Sequence, residues 1–248
     1  MSRHHLPEVY FSVILHFLYL FVIFGTALLL TLLLRKKADE AKLRAIHIFT
    51  ILTVALYIAD FFLMPFAYGG IDIEKLPFHA CTATCVLCVL ARHNRFLGRF
   101  KDQFLLLGLL TNLIYVIYPA GVGWYQIHPL SYRVWQTLLY HGAMTAFGLF
   151  SLCFGEMKLE WRKCPRDLAF LCVMTVWALL GNTLYNGLDD RFFNWFFVVR
   201  DPFYILPEGI SPFVMPAVMV AVMFTGEVLI RLVCTAISRL GSPLYRCK

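Results

Sequence analysis

The stretch Leu76-Pro77-Phe78-His79-Ala80-Cys81-Thr82 opens the third of seven apolar segments in this sequence. It brings an imidazole and a thiol within two residues of each other, where a helix would enter a membrane. Polar side chains are costly in that setting, so they usually have partners or a chemical task. His is a general base near neutral pH and Cys is a strong nucleophile. The alternative interpretation is that both residues only pack between membrane helices.

The composition predicts a polytopic membrane protein. The 248 residues are 60% hydrophobic, with a mean hydropathy of +0.71, whereas soluble domains are only ~45–50% apolar. Each of the seven segments approaches the ~20 residues that cross the hydrocarbon layer. They cover residues 9–34, 46–68, 76–97, 104–118, 132–155, 168–188 and 212–235. We therefore predict an all-α fold with a single domain of seven transmembrane helices over residues 1–248.

The basic residues predict the orientation of this domain. Of the 22 Lys and Arg residues, 17 fall in the first, third and fifth loops or towards the C-terminus. Because the cytosolic side of a membrane protein carries the excess of Lys and Arg, the N-terminus is predicted outside and the C-terminus in the cytosol. This distribution accounts for the net charge of +7 without a nucleic-acid partner, and no obligate protein partner is inferred.

Polar residues from five segments are predicted to lie at a similar depth. With a rise of ~1.5 Å per helical residue, the outer half of the membrane would contain Asp60, Cys81, Asn112, His141, Asn182 and Asn186. Residues with unrelated structural roles would scatter in depth, so we predict one shared polar cavity. The aromatic sixth loop, residues 189–211, is expected to cover the outer helix ends or to form an aromatic belt.

The eight cysteines do not indicate a disulfide framework or a metal centre. None of them lies in a predicted outer loop, where oxidising conditions would favour disulfides. Cys81, Cys85 and Cys88 share one helix face, but one helix cannot complete a tetrahedral zinc site. We predict no metal and no other cofactor.

Four motifs resemble a known family. They are the run 76–81, His141-Gly142 in the fifth segment, Gly181-Asn182 in the sixth, and Asp201-Pro202-Phe203-Tyr204 before the seventh. Together they resemble the YwaF family of integral membrane proteins, whose eukaryotic branch is the transmembrane protein 164 acyltransferases. The resemblance implies seven spans. In the eukaryotic branch it also implies a Cys and a His that transfer a polyunsaturated acyl chain between phospholipids, giving ether-linked species.

The chain departs from the eukaryotic pattern at one position. In that pattern the Cys directly precedes the His that corresponds to His79, and this chain has Phe78 there. Cys81 instead follows the His by two residues, as in the bacterial-type pattern. Because positions 78 and 81 share a helix face, the nucleophile has either moved one turn along that face or is absent, which would leave a binding fold.

The first functional hypothesis is a lipid acyltransferase or transacylase. His141 or His79 would take the proton from Cys81, and the thiolate would attack a phospholipid ester. A lysolipid hydroxyl would then accept the acyl chain. The predicted residues for substrate binding, oxyanion stabilisation or His orientation are Asn112, Asn182, Asn186, Asp60, Thr82 and Tyr204. Among them, Asn112 and Asn182 would donate to the oxyanion, and Asp60 would orient a His.

Two other hypotheses remain open at the level of sequence. A lipid ester hydrolase would use water as the acceptor, with Thr82 as its nucleophile. A receptor or transporter would bind a ligand in the same cavity, although the loops are short and the inner half of the membrane is poor in polar residues. The expected location is the cell membrane of a bacterium or the endoplasmic reticulum membrane of a eukaryote.

The predicted orientation can be tested by labelling. A cysteine introduced at Gly123, in the fourth loop, should react with a membrane-impermeant thiol reagent added outside intact cells. Cys164, in the fifth loop, should react only after the cells are made permeable. Labelling of Cys164 but not of residue 123 from outside would invert the orientation.

Overall fold

The computed structural model describes residues 5–70, 73–118, 131–186, 193–201, 205–207 and 209–239. All regular secondary structure in these residues is helical, as predicted. The α-helices are α1 (His5–Leu34), α2 (Asp39–Tyr68), α3 (Ala80–His93), α4 (Arg95–Gly98), α5 (Lys101–Ile117), α6 (Tyr132–Cys153), α7 (Cys164–Asn186) and α8 (Ser211–Arg239). Short 3₁₀ turns occur at Ile73–Lys75, Trp161–Lys163 and Trp195–Phe197.

Four stretches are helical, long and apolar enough to cross a membrane. They are Ile14–Leu34, Asp39–Phe66, Trp161–Asn186 and Ser211–Arg239. Helix α3 is also apolar but has only 14 residues, and most residues of α6 are buried inside the protein. These helices agree with a membrane protein, whereas the count of seven crossings and the predicted orientation stay predictions.

The chain divides into two compact units. Unit 1 comprises Met1–Ile71 and Thr111–Glu156, and unit 2 comprises Asp72–Leu110 and Met157–Lys248. One boundary falls within α5, so this helix belongs to both units. A single domain over residues 1–248 stays a prediction.

Unit 1 is built around α6, which packs against α2 and α1. Helix α1 approaches α6 closely because Gly142 has no side chain, and a Cβ at this position would lie 2.4 Å from Ile23 Cδ1. At the same contact, Tyr19 Oη donates a hydrogen bond of 2.8 Å to Leu138 O. The Tyr19 hydroxyl thus has its acceptor inside the protein, as an apolar surrounding requires.

Unit 2 has a hydrophobic core in which α7 packs along α8. Residues one turn apart on α8 face this core, so Met215, Met219 and Met223 are all buried. The spacing of four residues defines one face of a helix. Methionine side chains are unbranched and flexible, so they fill the irregular space between helices.

A buried ion pair links three helices of unit 2. Arg231 Nη2 on α8 donates to Asp167 Oδ2 on α7, and Gln103 Nε2 on α5 donates to Asp167 Oδ1 at 2.8 Å. None of the three residues is more than 2% exposed. Both carboxylate oxygens therefore have donors, which is the condition under which a buried charge is tolerated.

We predict that Gly181→Ala destabilises the protein, because its Cβ would lie 2.4 Å from two ring atoms of Phe78. Overpacking of this kind costs about 1–3 kcal/mol, so the midpoint of thermal unfolding in detergent should fall. Gly25→Ala in α1 is the matched control, since nothing lies within 4 Å of a Cβ at that position and Ala favours a helix over Gly. Equal midpoints for the two variants would contradict the packing of Phe78 on Gly181.

Candidate functional site

Helix α3 begins at the stretch that carries the predicted catalytic residues. His79 is its N-cap, with extended backbone angles (φ −72°, ψ 142°). The first helical hydrogen bond runs from Ala83 N to His79 O at 2.8 Å, so Cys81 is the second residue of the helix. Cys81 is a partly exposed residue, whereas Cys85 and Cys88, further along α3, are buried.

Aromatic residues anchor the turn that precedes α3. Trp177 Nε1 donates a hydrogen bond of 2.7 Å to Pro77 O. The ring of Phe78 lies against Gly181, with its centroid 4.9 Å from that of Trp177 and 5.0 Å from that of Trp195. Pro77 has a fixed φ and no N–H to donate to a helix. Phe78, the next residue, is held in place by the rings packed around it. This packing fixes where α3 begins.

Two asparagines of α7 bind the backbone of residues 193–195. Asn182 Nδ2 donates to Trp195 O at 3.1 Å, and Trp195 N donates to Asn182 Oδ1 at 2.8 Å. Asn186 repeats the arrangement with Phe193, at 2.9 Å and 2.5 Å. A carboxamide offers both a donor and an acceptor, as a peptide group does. Asparagines four residues apart on α7 therefore pair with the backbone groups of two residues that are two positions apart, Phe193 and Trp195.

The same segment reaches the imidazole of His79. Phe196 N donates a hydrogen bond of 3.2 Å to His79 Nδ1. Phe196 and Phe197 both have positive φ, at 56° and 53°, which is unfavourable for bulky side chains. Such a residue costs about 1–3 kcal/mol and persists only where its surroundings impose the conformation. Here the surroundings include the asparagine pairing on one side of Phe196 and the imidazole that accepts its N–H.

Part of the sixth loop, which was predicted to cover the outer helix ends, lies in the hydrophobic core of unit 2. Trp195 is 1% exposed, and its Nε1 donates to Glu74 O at 3.1 Å. The ring of Phe193 stacks on Trp195 with an interplanar angle of 7° and a centroid distance of 4.7 Å. Tyr204, also predicted in this loop, lies outside the described residues. Its predicted role stays a prediction.

The geometry gives Asn182, Asn186 and Thr82 positions that the sequence did not indicate. The two asparagines hold the aromatic segment, and their donation to an oxyanion or a substrate stays a prediction. Thr82 Oγ1 donates to His79 O at 3.0 Å, so the hydroxyl predicted as an alternative nucleophile is engaged with the backbone. The partners of the two asparagines are not visible from helical spacing alone, whereas His79 O lies only three residues before Thr82.

His141 lies in unit 1 and is paired with Asn112. His141 Nδ1 is 2.7 Å from Asn112 Oδ1, and the two side chains are 7% and 0% exposed. Tyr115 stacks on the imidazole, with ring centroids 3.8 Å apart. Since an amide oxygen can only accept, Nδ1 carries the hydrogen, and Nε2 of the neutral ring holds the lone pair. The imidazole is therefore fixed in a tautomer whose Nε2 accepts protons.

This pairing gives Asn112 the orienting position that the sequence analysis assigned to Asp60. Asn112 was predicted as an oxyanion donor, but its carboxamide oxygen faces the His141 ring. Asp60 Oδ1 instead accepts a hydrogen bond of 3.0 Å from Tyr132 Oη. An Asp60–His contact and donation from Asn112 to an oxyanion stay predictions. Sequence reasoning missed Tyr115, whose only signal is its position one turn after Asn112 on α5.

The predicted site residues are divided between the two units. Asp60, Asn112 and His141 belong to unit 1, and His79, Cys81, Thr82, Asn182 and Asn186 belong to unit 2. Among the residues that the structure describes, no three His, Cys, Asp or Glu side chains are grouped so that they could hold a metal ion. The cysteines that the structure describes form no disulfide with one another.

The sequence was compared with protein families, curated proteins and solved structures. A model of the TMEM164 family matches residues 10–234. The chain belongs to the TMEM164 family. This match confirms the resemblance inferred from the four motifs, and the long apolar helices identify this TMEM164 family member as an integral membrane protein. No curated protein and no solved structure matches the chain.

In this TMEM164 family member we predict that Asn182→Ala lowers stability, because it leaves the buried N–H and C=O of Trp195 without partners. An unsatisfied buried polar group costs about 1–3 kcal/mol, which should appear as a reduced midpoint of thermal unfolding. Thr183→Ala is the control, since Thr183 is the exposed neighbour on the same helix. If both variants unfold at the wild-type temperature, the asparagine pairing does not hold the segment.

Proposed function

We propose that this protein is an integral membrane acyltransferase that transfers an acyl chain between phospholipids through a thioester at Cys81. The observation that carries the proposal is the buried hydrogen bond between His141 Nδ1 and Asn112 Oδ1, at 2.7 Å. A buried His in a membrane protein usually has a task, and the tautomer fixed by Asn112 is the one that a general base requires. Membership of the TMEM164 family supports the same reaction class, which the sequence resemblance implies.

Cys81 is the proposed nucleophile for two reasons. It is the second residue of α3, where the positive end of a helix dipole favours negative charge on a nearby atom. As a residue it is also partly exposed, whereas Cys85 and Cys88 are 2% and 3% exposed. The aromatic anchoring of the preceding turn supports the proposal further, because a nucleophile acts efficiently only when its position is fixed.

His141 is the proposed general base. Its Nδ1 hydrogen is directed to Asn112, so a proton taken up by the ring binds at Nε2, and the resulting imidazolium keeps its partner. The same logic operates in Cys-His-Asn proteases, where an amide oxygen orients the imidazole. The stacked ring of Tyr115 restricts rotation of the imidazole and so preserves this orientation.

The proposed reaction has two balanced halves. In the first, the thiol proton passes to the base, sulfur attacks the acyl carbonyl of the donor phospholipid, and the C–O ester bond breaks. The leaving lysophospholipid oxygen takes the proton from the base, which leaves a thioester at Cys81. In the second, a hydroxyl of an acceptor lysolipid gives its proton to the base and attacks the thioester. The C–S bond then breaks, and the proton returns to the sulfur.

The proposed partners are membrane lipids, namely a phospholipid donor and a lysophospholipid acceptor. Large apolar side chains such as Phe62, Phe66 and Phe213 are exposed, as expected of helices that contact acyl chains. The membrane would be the cell membrane in a bacterium or the endoplasmic reticulum membrane in a eukaryote. The hydrolase alternative has less support, since the Thr82 hydroxyl donates to His79 O.

We predict that Cys81→Ser and His141→Gln each abolish most acyl transfer between labelled phospholipids in reconstituted vesicles. A serine hydroxyl is far less acidic than a thiol, and removal of a general base costs about 10²–10⁴-fold in rate. Gln at position 141 keeps a polar group of similar size but cannot take up and return a proton.

The controls are Cys85→Ser and Cys88→Ser. For each, acyl transfer per amount of folded protein should stay close to that of the wild type. If Cys81 and His141 serve one reaction, the double variant should be little worse than either single variant, because groups that act as a unit are not additive. Full activity of Cys81→Ser would remove Cys81 as the nucleophile. Multiplicative losses in the double variant would show that the two residues act independently.

A further inference from the structure

The hydrogen bond between Phe196 and His79 determines which nitrogen of the imidazole carries hydrogen. A backbone N–H can only donate, so Nδ1 of His79 must present its lone pair to Phe196 N at 3.2 Å. A neutral imidazole has one N–H group. In His79 that group is therefore Nε2–H, so the ring is a donor at Nε2. His141 has the opposite tautomer, with its hydrogen on Nδ1.

The residues around Phe196 hold the His79 imidazole in this tautomer. Phe196 is 2% exposed, so its N–H has no access to water as an alternative partner. Phe196 and Phe197 hold their strained backbone angles, φ 56° and 53°, because Asn182 fixes the adjacent residue at both its N–H and its C=O. If hydrogen moved to Nδ1, two donors would face each other, and the buried N–H of Phe196 would lose its partner at a cost of about 1–3 kcal/mol.

Phe196 bonds Nδ1 of His79, so Nε2 is the ring nitrogen that makes no hydrogen bond to residues 193–197. Among the described residues no side chain or backbone group is bonded to it, and the residue is partly exposed. His79 is also the N-cap of α3, and Cys81 follows two residues later. A fixed neutral N–H donor therefore lies at the same end of the same helix as the proposed nucleophile.

We propose that His79 acts in acyl transfer as a hydrogen-bond donor and not as a base. Its Nε2–H would bind the carbonyl oxygen of the acyl group that is attacked by Cys81, and it would stabilise the negative charge that develops there. Donors held in place before the reaction are effective because they need no reorganisation, and neutral imidazole is known to fill this role. The inference rests on the proposed function and adds the oxyanion donor to it.

Two substitutions separate the donor role from the structural role of His79. His79→Asn keeps an acceptor near the position of Nδ1, so Phe196 N–H retains its partner, but it removes the donor at Nε2. His79→Gln places an amide N–H near the position of Nε2 and cannot act as a base, but it leaves Phe196 N–H without the Nδ1 acceptor, so its midpoint of thermal unfolding should fall. We expect near-wild-type thermal unfolding for His79→Asn, with transfer reduced about 10²–10³-fold, the loss typical of one oxyanion donor.

His79→Gln should keep transfer to within about tenfold of wild type, because a neutral donor remains, in contrast to His141→Gln. Folded His79→Gln protein that is no more active than His79→Asn would overturn the inference and leave the proposed function standing. If the wild type transfers no acyl chain, the proposed function fails, and this inference fails with it.

A second measurement decides the tautomer without activity. Nitrogen-15 NMR of histidine-labelled wild-type protein should show ring signals with hydrogen on Nε2 and a bare Nδ1, and the signal that is absent from His79→Asn identifies His79 as one of these rings. A His79 signal with hydrogen on Nδ1 would overturn the inference even if His79→Gln does not fold.

Discussion

The pairing of the Asn182 carboxamide with both backbone groups of Trp195 is the interaction on which the rest of unit 2 depends. In an apolar surrounding every peptide group needs a partner inside the protein, and an irregular segment cannot supply all of them itself. Asn182 and Asn186 provide these partners from a regular helix. Because Trp195 is fixed, its ring packs against that of Phe78, and this contact holds the chain just before α3.

The chemistry of His79 follows from the same constraint. Phe196 is held with a positive φ next to a residue whose backbone is fully paired, so its N–H points to the imidazole and fixes the tautomer. In unit 1, the carboxamide oxygen of Asn112 has the opposite effect on His141. One histidine is thus arranged to donate at Nε2 and the other to accept there. Both assignments come from single neighbours that can play only one hydrogen-bonding role.

Hydropathy predicted the class of fold but not the ends of the helices. The second apolar segment was predicted over residues 46–68, whereas α2 spans Asp39–Tyr68, because hydropathy detects lipid-soluble residues and not helical ones. Asp39 and Glu40 lie in the first turn of α2, where acidic residues favour a helix. The third segment was predicted to continue to residue 97, but α3 ends at His93, and Asn94 caps a separate short helix through Phe96 N and Leu97 N.

The sequence identified residues of the candidate site but not their roles. Asn182 and Asn186 were predicted as site residues, and both bind the same backbone segment. Their partners are backbone groups of Trp195 and Phe193, next to a left-handed conformation at Phe196 and Phe197 that aromatic residues rarely adopt, so propensity gave no signal for this loop. The role of Asn112 was missed for a different reason. Its partner His141 is 29 residues away in sequence, and spacing along one helix cannot show a contact with another.

In the proposed reaction, Cys81 carries the acyl chain between two lipids. The most direct measurement is mass spectrometry of the purified protein after incubation with a phospholipid that bears an isotopically labelled acyl chain, in the absence of an acceptor. We expect one labelled acyl group on the peptide that contains Cys81. Hydroxylamine should release this group, as expected of a thioester, and Cys81→Ser should lack it. An acyl group on any other residue, or turnover of the lipid with no covalent intermediate under rapid quenching, would contradict it.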